Sequence, residues 1–150
     1  MHPHRLPPIA FAALALLGSG CAGAPPTTLG LPQGQLAPCP GSPNCVSSLE
    51  GEDDAHRVAP LIYTGPREEA MARVAEIVGQ MDGARVVTRR AEYLHAEFTT
   101  PMMGFVDDVE FHAPAEAQLI HVRSASRVGY SDLGVNRERV EQLRAAWEAR

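Results

Sequence analysis

The chain has 150 residues, 45% of them hydrophobic and 21% charged, which suffices for one core and one domain. Eighteen acids against thirteen arginines, with no lysine, leave a net charge of −5. Nucleic-acid binding needs a basic surface to neutralise phosphates, so composition excludes that class of partner.

Residues 1–20 read as a secretory signal. Arg5 is the fixed positive charge of a short leading region, Ile9 to Leu17 is an unbroken apolar run, and Gly18-Ser19-Gly20 supplies small residues before Cys21. That run falls short of the roughly 20 residues needed to span a bilayer. Small residues directly before a cysteine resemble the lipobox of bacterial lipoproteins, although Gly18 stands where that motif usually has leucine. The resemblance implies cleavage of the leader and acylation of Cys21, which would tie the protein to a membrane. Ala22 after the anchor favours the outer membrane, facing the periplasm; a secreted or periplasmic product of a plain leader is the alternative. Residues 22–37 are rich in Pro, Gly and Thr without periodicity, which predicts a disordered tether between Cys21 and a domain over 38–150.

Cys39 and Cys45 enclose five turn-forming residues. In an oxidising envelope such a pair predicts a disulfide, with Cys21 left over for lipid. A metal site would need a second pair or histidines at ligand spacing, and a nucleophilic thiol would need a base. His56 is the nearest candidate.

Val58, Leu61, Ile62 and Tyr63 predict an edge strand. Pro66, with Glu68 and Glu69 in the following turn, predicts a helix start, and Met71, Val74, Ala75, Val78 and Met81 recur at helical spacing up to Asp82-Gly83. Strands follow over residues 85–90, 92–100, 104–112 and 118–124, separated by turn residues. Asn136 can cap a last helix in which Val140, Leu143 and Trp147 share a face. The expected fold is α+β: an antiparallel meander of about four to five strands with two helices packed on one face.

Alternation assigns Leu94, Ala96 and Phe98 to the core face, with Tyr93, His95, Glu97 and Thr99 opposite. Ile120 and Val122 likewise face inward, His121 and Arg123 outward. The strand over 104–112 resists this reading, because strict alternation puts Asp108 and Glu110 beside Val106 in the core, where unpaired carboxylates are costly. A bulge at Asp107-Asp108 would turn Val106, Val109 and Phe111 inward and Asp107, Asp108 and Glu110 outward. Glu97, Asp107, Asp108, Glu110, Arg123 and Arg127 would then meet on one face, with His95 and His121 alongside.

Such a cluster could bind a divalent cation or supply a general acid or base, the basis of an envelope hydrolase or other acid-base enzyme. It could equally be an acid and arginine ladder, contributing well under about 1 kcal/mol per pair if exposed. No zinc motif, phosphate loop or serine elbow is present, no cofactor is implied, and no catalytic residue or metal ligand is assigned. Beyond it, Ser124, Ser126, Arg127, Tyr130, Ser131, Asp132, Asn136 and Arg137 crowd a loop entering the last helix. Amides at a helix start with arginine and serine can hold an anion, or the loop can satisfy itself. The candidate ligand-binding set is therefore Asp107, Asp108, Glu110, Arg123, Ser124, Ser126, Arg127, Tyr130, Asp132, Asn136 and Arg137.

Three separated motifs carry a family resemblance: Cys39-Pro40 through Asn44-Cys45-Val46-Ser47-Ser48, Gly104 through Phe111, and Arg123 through Gly134 with Asn136, Arg137 and Arg139. In this order they resemble the bacterial domain of unknown function 1499 (DUF1499), over roughly residues 38 to 147. The resemblance implies an envelope setting and brings no reaction or ligand with it. The expectation is an envelope lipoprotein whose domain binds a small anionic ligand or an envelope partner, or is purely structural.

Overall fold

A computed structural model describes residues 22–149; the leader and Cys21 lie outside the described residues. Eight regular elements follow a 3-10 turn at Pro32–Gly34: β1 (Cys45–Ser47), β2 (Leu61–Ile62), α1 (Arg67–Gly79), β3 (Ala84–Arg89), β4 (Tyr93–Thr99), β5 (Val106–His112), β6 (Leu119–Ser126) and α2 (Val135–Glu148). The sheet runs β1-β6-β5-β4-β3, and β2 shares β6 with β1. Strands β3 to β6 form the expected antiparallel meander. Short β1 and β2 complete an α+β sheet of six strands, one more than the sequence predicts.

Both helices lie on one face. From α1, Ala70, Met71, Val74, Ile77 and Val78 are buried, and from α2, Val140, Leu143 and Trp147. They meet Leu94, Ala96 and Phe98 of β4, Val109 and Phe111 of β5, and Ile120 and Val122 of β6 in one core. Removing each such large apolar side chain from water contributes about 1.5–3 kcal/mol. Between α1 and β3 the chain turns at Gly83, with φ +74°, where a Cβ would lie 2.6 Å from the Thr99 carbonyl oxygen. Only glycine fits there.

β5 departs from the sequence reading. Its pairing with β4 is regular through both aspartates, Phe98 opposite Asp107 and Glu97 opposite Asp108, and its pairing with β6 is regular too. The expected bulge at Asp107-Asp108 is absent; the register shift in this sheet lies between β3 and β4, at Val86 and Thr88. Consequently Asp108 and Glu110 share a face with Val106, and Asp107 shares the helix face with Val109 and Phe111. The premise of the bulge was that β5 has one buried face, yet it is buried at all seven positions.

The second cover is the N-terminal segment. Residues 22–37, whose composition suggests a tether, lie against the sheet as a strap. The Gly30 amide donates to Glu110 Oε1 at 2.9 Å and to the Tyr93 hydroxyl at 3.1 Å, and Leu36 and Ala37 are buried. The expected disulfide forms between Cys39 and Cys45, Cα atoms 5.7 Å apart, and fixes the loop between strap and β1.

Candidate functional site

Most of the polar residues predicted to form a site fall into two networks, back to back through β5, with Tyr130 and Arg137 outside both. Antiparallel partners share a face, so register decides the membership of each.

On the strap face, His95 stands opposite Glu110, Glu97 opposite Asp108, and Glu110 opposite Arg123. Arg127, just past β6, reaches across: its Nε donates to Asp108 Oδ2 at 2.8 Å, and its Nη2 to Asp108 Oδ1 at 2.7 Å and Glu97 Oε1 at 2.6 Å. His95 Nε2 lies 2.7 Å from Asp108 Oδ1. Glu110 accepts from the Tyr93 hydroxyl at 2.7 Å, from the Gly30 amide, and from Arg123 Nη1 at 3.3 Å. Asp108 is 1% and Glu110 0% exposed.

Burial raises the Asp108 carboxyl, but its hydrogen bonds from Arg127 and His95 outweigh this and hold it below the ordinary aspartate value. Glu97 follows the same balance, burial against Arg127 and Arg85, and is also lowered. The bond to Asp108, with help from Glu97, lifts Arg127 further above the arginine range against burial. Burial, then the charge of Glu110, pushes the Tyr93 phenol up, so it stays a proton donor. Among the described residues, Arg123 Nε has no hydrogen-bond partner, nor has His112 Nδ1.

On the helix face, Asp107 accepts from Arg139 Nη2 of α2 at 2.6 Å. Arg139 Nη1 also donates to Asn136 Oδ1 at 2.7 Å and Ser124 Oγ at 3.1 Å, and its guanidinium lies 4.8 Å from the Phe98 ring centre. The Ser124 hydroxyl donates to Asn136 Oδ1 at 2.6 Å. Asn136 Nδ2 donates to Ser126 Oγ, Asp132 Oδ2 and the Asn44 carbonyl. The expected cap is therefore a buried residue inside the first turn of α2: Asp132 accepts from the Asn136 amide at 2.8 Å, and Gly134, at φ +86°, begins the helix. Burial raises Asp132, while the Asn136 and Gly134 amides bring it below its ordinary value.

The structure thus brings Asp108, Glu110, Arg123 and Arg127 together, and separately Asp107, Ser124, Ser126, Asp132 and Asn136. Asp107 belongs with Arg139, not with the outward acids where the bulge would have placed it. Tyr130 stands apart at 75% exposed, and Arg137 donates to the Ala55 and Arg57 carbonyls, both at 2.8 Å. Sequence reasoning missed Arg139 as a site residue and Asn44 as a connector. Arg139 carried a signal: it stands beside Val140 and four residues before Leu143, a charge on the buried stripe of its helix.

No three His, Cys, Asp or Glu side chains gather as a metal site among the described residues. The ion-pair face is covered by the strap. A cleft of about 480 Å³ opens elsewhere, at the sheet end between Met81, Phe98, Pro101, Val135 and Arg139.

Fold and site define an α+β domain whose central strand carries a buried ionic network on each face, one closed by α2 and the other by the chain's own N-terminal strap. The chain belongs to the family described as protein of unknown function (DUF1499), whose model matches residues 35–147. Comparison with curated proteins and with solved structures finds no match.

Proposed function

We propose that this protein is a lipid-anchored component of the cell envelope, on the periplasmic side of the outer membrane, with a structural or partner-binding role. One observation carries the functional half of this reading: the charged groups of β5 and of the segments on either side of it are engaged with one another. Asp108 and Glu97 hold Arg127, Glu110 holds Arg123, and Asp107 holds Arg139, at burial that keeps them from water. An anion at this face would have to compete with carboxylates already seated on the arginines. Acid-base catalysis by Asp108, buried and bonded to Arg127 and His95, would require that network to open. A protein or membrane surface, met by the outside of the domain, asks for neither.

The leader pattern before Cys21 and the Cys39–Cys45 disulfide support the location, since such bridges persist in oxidising compartments. Thermal unfolding of the mature protein against divalent cations, phosphate and sulfate esters and cell-wall fragments tests the role. The expected result is no shift of the midpoint, with Arg127→Ala lowering it under all conditions. A stabilising ligand whose effect disappears in Arg127→Ala or Asp108→Ala would overturn the structural reading. Intact mass after membrane extraction tests acylation at Cys21.

A further inference from the structure

Nine large hydrophobic side chains are exposed among the described residues, and six of them lie at one end of the sheet. Met102 and Met103 occupy the turn between β4 and β5; Val128, Tyr130, Leu133 and Val135 belong to the segment from β6 into α2. The two segments adjoin: the Arg127 amide donates to the Val106 carbonyl, and Pro101 and Val135 line the same cleft.

Leu133 is displayed there at a backbone cost. It is 95% exposed and sits at φ +56°, a left-handed conformation costly for a non-glycine residue. The turn is held by Asp132 Oδ1, which accepts from the Gly134 amide, and by Ser131 Oγ, which accepts from the Leu133 amide. Nothing inside the fold uses the side chain so presented. Met102, at 96%, is equally unused.

The strap reaches the sheet at this same end. A Cβ on Gly23 would lie 2.9 Å from Val128 Cγ1 and 3.0 Å from Arg127 Cβ, so the backbone of Gly23 is packed against them. Cys21 is two residues earlier, at most about 7 Å of extended chain. An acyl chain on Cys21 would therefore begin within about 7 Å of Gly23, which packs against Val128. We infer that the rim formed by Met102, Met103, Val128, Tyr130 and Leu133 is the face this domain lays on the lipid bilayer that holds its anchor. The inference rests on the lipoprotein reading above. Tyrosine, methionine and leucine suit the boundary between headgroups and acyl chains, and Arg127 is already paired with Asp108 and Glu97. With a net charge of −5 and no lysine, attraction to anionic headgroups is not the driving force. Contact should be as good on phosphatidylcholine as on phosphatidylglycerol.

The test is amide hydrogen exchange of the full mature protein, acylated in cells and placed on vesicles of either lipid, against the Cys21→Ser protein in solution. Residues 101–105 and 128–134 should exchange about tenfold more slowly on vesicles, while the β2 edge near Ile62 is unchanged. Met102→Glu with Leu133→Glu should abolish the slowing although the protein still floats with the vesicles; intact protection of β5 shows that it is folded. Acylated protein that floats with both loops as open as in solution refutes the docking face and leaves the anchor standing. Protein recovered without acyl chains, which does not float, removes the anchor and the docking face with it.

Discussion

Replacing Arg127 by alanine removes the cation on which Asp108 and Glu97 converge. Three hydrogen bonds of 2.6–2.8 Å disappear. Glu97 keeps Arg85, but Asp108, 1% exposed, is left with His95 alone. Breaking a buried ion pair from one side costs about 3–5 kcal/mol, because the remaining charge is neither solvated nor compensated. An exposed ladder would lose less than about 1 kcal/mol. Total stability of a domain is about 5–15 kcal/mol, so the variant should be severely weakened. Urea unfolding at pH 7 with the disulfide intact reads this directly: at a slope of about 2 kcal/mol per molar, the midpoint falls by about 2 M. The loss should shrink in acid. The lowered Asp108 value means that its contribution is present above the unfolded carboxylate range and is lost as pH falls through the folded value. Below it the wild type has surrendered what the variant lacks. Arg127→Met combined with Asp108→Leu should recover part of the loss, since it removes both charges. A cost below about 1 kcal/mol for Arg127→Ala at pH 7, unchanged at pH 3, would refute the buried-network reasoning.

Other consequences can be checked on the same protein. Cys39→Ser with Cys45→Ser should cost about 2 kcal/mol from loop closure, measured as the difference in urea midpoints under oxidising conditions. His112 is held below its ordinary value first by burial and then by His121 and Arg67, with Glu92 and Glu116 opposing. Its contribution is therefore present above pH 6.5 and lost as pH falls below it through the folded value, a slope that His112→Phe should flatten in unfolding titrations. His56, raised chiefly by its bond to Asp53, acts in the other direction, its contribution being lost above pH 6.5 as pH rises through the folded value. Gly30→Ala has open space for its Cβ but must keep φ +101°, at a cost of about 1–2 kcal/mol, and should speed proteolysis within residues 22–37. Unchanged cleavage would mean that the strap is held by something other than the Gly30 turn.

Where a strand has one wet face, or one covered only by polar partners, alternation reads it correctly. It placed Leu94, Ala96 and Phe98 in the core, and it put His95 and Glu97 of β4 and His121 and Arg123 of β6 on the opposite side. It fails for β5 because each face buries a carboxylate, Asp107 on the helix side and Asp108 and Glu110 on the other, so polarity no longer distinguishes inside from outside. Asp107 then finds its partner in Arg139, 32 positions away, and no local pattern announces that pair. The disulfide was legible from spacing and the family from three motifs. The strap was not legible, because the docking group is a backbone amide, which Pro and Gly composition does not encode. The family match begins at residue 35, so Gly30 also lies beyond the motifs that identify the domain.

Stability alone does not account for a charged strap site. Burying Glu110 costs desolvation that its partners only offset, and apolar residues of similar volume could cover the sheet equally well. What an apolar cover lacks is register: a strap on a greasy face can slide, whereas the Gly30 amide has its acceptors at Glu110 and Tyr93. Register matters here because of what precedes the strap. Fully extended, residues 22–37 would let the domain stand about 50 Å from an anchor at Cys21, were one attached there. Pinned at Gly30 and packed at Gly23 against Val128, the same residues bring the chain back to the sheet end bearing Met102 and Leu133. Glu110 therefore fixes where the chain leaves the domain, and with it which face an anchor at Cys21 would turn towards the membrane.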